Sequence, residues 1–259
     1  MIVTNTFAPI DTLQPLETGH PLLAGVVFFE HPTQPFPYDA LTGTRLSSSG
    51  GVVPTPGPGS GTIGWTFDGT GNQQMATIGR LPQGPPITVS VWCKGTTSGS
   101  YQSVFGNWNT GAGSNVTLMW WDTAGRVSFY TGAEVTSSAP GRLDGRWHHL
   151  VGTASSSQQK IYLDGVLLAT TTRTLNSWSN PTAPFGTFSG FFPMYGSLAH
   201  RAVWARALSD SDVAQLYAEG RTGHPNLLRR ARGVVYFLPQ ATVKGRRTLY
   251  HRVGSRGVA

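Results

Sequence analysis

The apolar positions of this chain come in short runs separated by Gly, Asn, Asp and Pro, and almost nowhere at helical spacing. Residues 25–30 (GVVFFE), 64–67 (GWTF), 87–92 (ITVSVW), 103–105 (SVF), 116–121 (VTLMWW) and 126–130 (RVSFY) each read as a strand. In residues 147–151 (WHHLV), alternation puts Trp147, His149 and Val151 on one face and His148 and Leu150 on the other. Residues 160–163 and 166–171 flank Asp164-Gly165, a strong signal for a tight hairpin. Residues 47–61 (SSSGGVVPTPGPGSG) predict a surface loop. Many short strands with turn residues between them predict a sandwich or barrel.

One helix stands out. Ser209 is a natural N-cap, and Asp212 completes an S-x-x-D capping box. Asp210 and Asp212 favour the positive end of the helix dipole. Val213, Leu216 and Tyr217 make one apolar face, and Gly220 predicts the C′ position.

Composition agrees with this all-β picture. Charged residues are 12% of 259, against 33 Gly and 18 Pro, and 39% hydrophobic content can support a core. The net charge of +7 is unevenly spread. Residues 1–219 hold 10 Lys/Arg and 12 Asp/Glu (−2), whereas residues 220–259 hold 9 Lys/Arg and no acid (+9). The expected organisation is an N-terminal arm (1–24), a sandwich (25–219) and a basic C-terminal extension (220–259). The single cysteine, Cys93, sits in an apolar run, which predicts a buried thiol and no disulfide within the chain. The N-terminus lacks a signal-peptide pattern, and no apolar run reaches the ~20 residues that span a bilayer. No membrane partner is expected, and synthesis is expected in the cytoplasm.

Catalytic patterns are sparse. The seven histidines make no H-x-x-x-H or H-E-x-x-H motif, and there is no G-x-S-x-G elbow or phosphate-cradling loop. Paired-carboxylate hydrolysis needs two acids across a cleft, and none of the four glutamates has an acidic neighbour two residues away. Calcium needs several carboxylates together, whereas Asp68, Asp122 and Asp144 stand singly in their loops. The expectation is therefore no catalytic set, no cofactor and no metal, with calcium at a loop the one ion left open. Exposed aromatics beside Asn and Asp mark candidate glycan contacts: Trp108 with Asn109, Trp121 with Asp122, and Trp178 between Asn176 and Asn180. In the extension, Arg229, Arg230, Arg232, Lys244, Arg246 and Arg247 are candidate docking residues, because arginine pairs bidentately with carboxylates and phosphates. Nucleic-acid contact, docking on an acidic protein lattice and a merely solvated tail are the three readings. The apolar run 233–238 (GVVYFL) between the basic clusters favours protein docking by strand addition.

Five segments in order carry a resemblance: 65–69 (WTFDG), 88–92 (TVSVW), 145–151 (GRWHHLV), 160–166 (KIYLDGV) and 196–217 (GSLAHRAVWARALSDSDVAQLY). Together, over roughly residues 23–219, the chain resembles the laminin-G-like, concanavalin A-like (pentraxin-type) family. That resemblance implies a two-sheet antiparallel jelly-roll sandwich with one short C-terminal helix and extended arms. It also implies that Trp147 fills the gap between the sheets and that Trp204 and Leu208 seat the helix. Residues 225–232 (PNLLRRAR) and 235–239 (VYFLP) resemble the basic tail that follows such a sandwich in bacteriophage structural proteins. This second resemblance implies a non-enzymatic virion component: a capsid decoration, tail or fibre protein, homo-oligomeric, held by other virion proteins. A carbohydrate-binding adhesion module is the alternative, and a glycosidase of this fold is a third.

Overall fold

Backbone amides in an extended run are satisfied only by a neighbouring strand, so alternating runs must pair. In the computed structural model, which describes residues 19–30, 36–70, 73–76, 79–95, 101–107, 116–121, 126–131, 134–140, 142–172, 177, 183–187 and 192–222, they pair throughout. In chain order the strands are β1 (Val26–Phe29), β2 (Tyr38–Asp39), β3 (Thr44–Arg45), β4 (Ser48–Ser49), β5 (Val53–Pro56), β6 (Ile63–Asp68), β7 (Gln74–Ala76), β8 (Ile87–Gly95) and β9 (Gln102–Asn107). They continue as β10 (Val116–Trp121), β11 (Arg126–Thr131), β12 (Glu134–Pro140), β13 (Trp147–Ala154), β14 (Gln158–Leu163), β15 (Val166–Thr172), β16 (Pro184–Phe185) and β17 (Tyr195–Trp204), before helix α1 (Asp210–Arg221). One sheet runs β15-β14-β13-β8-β17-β6-β5, with β1 also on β17. The other runs β12-β11-β10-β9-β16-β7-β4.

The sheets face each other across one core. Val89, Val91, Leu150, Ile161 and Leu198 meet Val104, Phe105, Leu118, Val127 and Phe129, all fully buried. The spacing is tight: a Cβ on Gly152 of β13 would stand 2.5 Å from the Phe129 ring. A second core lies on the outer face of the first sheet. There Val213 and Leu216 of α1 pack with Val151, Tyr162, Trp204, Leu208, Phe29 and Leu22. Leu22 sits in a 3₁₀ turn (Pro21–Leu23), and its carbonyl accepts the Trp204 Nε1 proton at 2.6 Å. The helix begins as its capping box dictates, with Ser209 accepting from the Asp212 amide at 3.1 Å.

Three expectations change. Trp147 does not fill the gap between the sheets. It is half-buried on the helix-bearing face that it shares with His149 and Val151, and its ring lies against Gly64, where a Cβ would be 2.8 Å from Cη2. Gly220 does not end the helix, which runs on to Arg221. A Cβ at Gly220 would stand 2.6 Å from Trp92 Nε1, so glycine there permits close approach of helix to sheet. Within residues 47–61, β4 and β5 form at sheet edges. Pro54 and Pro56 are tolerated in β5 because an edge strand need not donate on its outer side.

The central strand β17 is interrupted. Its register shifts between Ala199 and Ala202, and His200 adopts φ 47°. This bulge brings Arg201, fully buried, onto Glu30 at the end of β1. Arg201 Nε and Nη2 donate to the two carboxylate oxygens at 2.9 and 2.5 Å, and Trp65 Nε1 adds a third bond at 2.6 Å. The guanidinium also lies 4.9 Å from the Phe185 ring centroid. Removing one partner leaves a buried charge, so Arg201→Met should cost about 3–5 kcal/mol in urea denaturation. The Glu30→Leu/Arg201→Met double variant should recover most of that loss. A single variant as stable as the parent would contradict this account.

Candidate functional site

Strand register collects several turns at one end of the sandwich. Tyr195 pairs with Asp68, Gly196 with Gly95, Trp147 with Lys94, Leu150 with Leu163 and Trp121 with Gln102. The two sheets are tied together there, since the Ser103 amide donates to the Phe192 carbonyl at 2.8 Å and the Tyr195 amide to Gln102 Oε1 at 3.0 Å.

At this loop end aromatic rings face solvent. Phe192 is 38% and Tyr195 46% exposed, and Tyr101 packs on Phe192 with centroids 4.9 Å apart at 56°. Phe192 holds φ 51°, a backbone region that L side chains rarely adopt. The Tyr195 ring lies on Gly69, where a Cβ would meet Cδ2 at 2.9 Å. Opposite Tyr195, the exposed Asp68 accepts from the Thr70 amide at 2.8 Å, and hydrogen bonds from Thr70 hold its carboxyl below the usual range.

Two adjacent histidines of β13 meet opposite environments. His148 is clamped between carboxylates: Nδ1 is 2.8 Å from Asp164 Oδ2 and Nε2 is 3.0 Å from Asp144 Oδ1. Burial opposes its charge, but the bonds to Asp164 and Asp144 outweigh burial and raise its pKa. Asp164 answers in kind. Burial would raise it, yet His148 and the His149 amide bring it below the ordinary value. His149 points the other way, under α1. Its ring stacks on Trp92 at 5.2 Å and 24°, Trp92 stacks on Tyr217 at 5.7 Å, and Nε2 lies 2.8 Å from Ser90 Oγ. Burial lowers its pKa to about 3 against a partial offset from Asp164, so it stays neutral. The cavity beside it, lined by Ser90, Trp92, His149, His200 and Leu216, has room for about one water (≈ 20 Å³).

Every carboxylate whose side chain is described bonds a structural partner: Glu30 holds Arg201, Asp39 holds Arg80, Asp210 holds Lys160, and the others hold turns, caps, His148 or Gln215. Among the described residues no group of three or more His, Cys, Asp or Glu is placed to hold a metal ion. Cys93 is fully buried, and burial pushes its thiol well up, away from nucleophile range. No helix among the described residues is long and apolar enough to cross a membrane.

Of the residues picked out by sequence, Trp121 lies in β10 opposite Gln102, at the loop end. Trp108, Asn109, Asp122 and Trp178 lie outside the described residues, as do Arg229, Arg230, Arg232, Lys244, Arg246 and Arg247. Sequence reading missed Tyr101, Phe192 and Tyr195. Their signal was aromatic residues inside Gly- and Ser-rich connections, where a core role is hard to fill.

The two histidines predict opposite pH responses. His148 stabilises most when it is charged and Asp164 is ionised, between about pH 4 and 6.5, and its contribution fades as pH rises through its raised pKa. His148→Gln should therefore cost about 1–2 kcal/mol at pH 5, with the gap closing as pH rises through the raised His148 pKa. His149 must charge on unfolding, so stability falls as pH drops below 6.5. Relative to His149→Phe, the parent should lose about 2 kcal/mol between pH 7 and pH 5. Parallel melting curves across this range would contradict both assignments.

The fold has known counterparts. The structure superposes on the binding domain of Paraclostridial Mosquitocidal Protein 1 with a TM-score of 0.58 at 14% identity, covering 76% of this chain and 52% of that one. The botulinum neurotoxin type G receptor binding domain gives 0.58 at 10% identity, covering 75% and 51%. Trypanosoma rangeli sialidase gives 0.58 at 16% identity, covering 78% and 34%. The chain thus spans about half the length of the two binding domains and a third of the sialidase. No curated protein matches it in sequence. Residues 67–214, more than half of the chain, match the profile of the Concanavalin A-like lectin/glucanases superfamily, and the protein belongs to that family.

Proposed function

We propose that the protein is a non-enzymatic recognition module, displayed by its sandwich and tethered by its extensions to a larger assembly, a virion. The observation that carries this reading is the allocation of side chains at the loop end. The acids there are engaged in structure, and it is aromatic rings that face solvent. Such a surface binds without supplying a paired acid and base for hydrolysis. The described neighbours are in part toxin binding domains, which supports recognition as a use of this scaffold and no more than that.

Tethering rests on charge and on where the chain leaves the sandwich. His20 Nε2 lies 3.5 Å from Glu219 Oε1, so the sequences before residue 19 and after residue 222 join the sandwich side by side. All of the net positive charge resides in residues 220–259, suited to an acidic protein lattice. The likeness of residues 225–239 to bacteriophage structural tails supports a virion as that assembly.

A chain ending at Thr222 should melt within a few degrees of the full chain and fail to incorporate into particles in a complementation assay. Normal incorporation would remove the tethering role, and hydrolysis of a polysaccharide panel by the full chain would remove the non-enzymatic one.

A further inference from the structure

We infer that residues 233–238 (GVVYFL) of the extension add to the outer edge of β15 in the same chain, rooting the extension on the sandwich as a further strand. This strand addition gives the tether proposed above its root, and for its purpose in assembly it rests on that reading.

The sheet defines the acceptor. β15 ends its sheet and is bonded to β14 on one side only. About half of its backbone N–H and C=O groups therefore point away from β14. No residue of β15 is buried, and Val166 and Leu167 are 63% and 40% exposed. The facing edge strand β12 comes alongside β15 but makes no ladder with it among the described residues. β15 (VLLATTT) has no charge, proline or glycine, the features that ordinarily guard an edge against pairing. The other edges are guarded or short. Pro54 and Pro56 stand in β5, Glu134 and Pro140 close the two ends of β12, and β4 has two residues.

The occupant follows from composition and from where the chain leaves α1. Residues 233–238 are uncharged and apolar, between Arg229, Arg230 and Arg232 on one side and Lys244, Arg246 and Arg247 on the other. Beside β15 such a run sets no charge against another and offers apolar neighbours to Val166 and Leu167. The chain is delivered close to this edge. Gly165, at the head of β15, lies against Tyr217 of α1, where a Cβ would stand 3.0 Å from Cδ1, and α1 ends at Arg221. The ten residues 223–232 can extend over about 35 Å, whereas β15 itself is about 23 Å long. On so short a connection the run faces β15 at about millimolar effective concentration, which a second copy or a foreign peptide at micromolar level does not match. Pairing through the main chain asks little of side-chain sequence beyond this. It places the two basic clusters at either end of one strand, at a fixed spacing from which to meet an acidic surface.

Hydrogen–deuterium exchange of the full chain reads the edge directly. Val235→Pro removes a donor from the middle of the run and should speed exchange in residues 166–172 about tenfold or more. Gln240→Pro, beyond the run, should leave that exchange unchanged. Position is read by combining Thr170→Cys in turn with Val234→Cys, Val235→Cys, Tyr236→Cys and Phe237→Cys, the native Cys93 being fully buried. At least one pair should oxidise to a disulfide within a monomer. Melting temperatures of all variants separate loss of the added strand from loss of the sandwich. Unchanged exchange in Val235→Pro, no disulfide from any pair, or disulfides only between chains would each overturn the strand addition. None of these measurements involves a particle, so failure to incorporate bears on the tethering reading alone.

Discussion

The buried pair between Arg201 and Glu30 is the constraint on which the rest of the structure leans. Both side chains are almost fully enclosed, and only one alignment of β1 on β17 lets them meet. Slipping β1 by one residue would turn Glu30 onto the other face and leave Arg201 buried without its carboxylate. A buried ion pair adds little net stability, because desolvation offsets its attraction, but it strongly penalises alternatives that leave either charge alone. The bulge that allows the pair also re-aims the chain. It sends His200 toward the helix and Arg201 into the core. It then delivers Trp204 to the outer face, where the indole and Leu208 seat α1. Upstream on the same strand stands Tyr195, so the loop-end rim and the helix dock share one rigid element.

His148 and His149 illustrate how strand alternation converts neighbours in sequence into opposites in chemistry. One step along β13 separates a histidine held by two carboxylates from one packed between aromatic rings and a serine. Charge is favoured at the first and excluded at the second. The pair is therefore no chelate and no catalytic dyad. It is a seam where the sandwich end and the helix layer are each fastened to the same strand.

The family assignment says what scaffold is present and leaves the task to the loops. Sandwiches of this kind place their variation at strand ends, where backbone is held by the sheets and side chains are free to differ. Here the acids near that end are drawn into turns and the His148 clamp, and rings take the solvent-facing positions. That allocation, and not the fold, is what the proposed recognition role rests on.

Much of the architecture is local and was legible from residue order. Period-two runs, the Asp164-Gly165 turn and the Ser209 capping box all act over a few residues, so pattern alone predicted strands, hairpin and helix start. The opposite faces of His148 and His149 followed from the same alternation. What pattern could not supply was proximity between residues far apart in the chain. Gly220 looked like a helix stop because its true partner, Trp92, is more than a hundred residues away. Trp147 was placed between the sheets by the family resemblance alone, since periodicity separates two faces without saying which is inner. Prolines in β5 hid an edge strand that only pairing with β6 reveals. Tyr101, Phe192 and Tyr195 drew no notice in sequence, and only the long-range ties between the start of β9 and the segment leading into β17 collect them at one end. Side-chain periodicity is written into neighbouring residues, whereas the choice of which strands meet depends on contacts between distant ones, and the candidate site is made entirely of those.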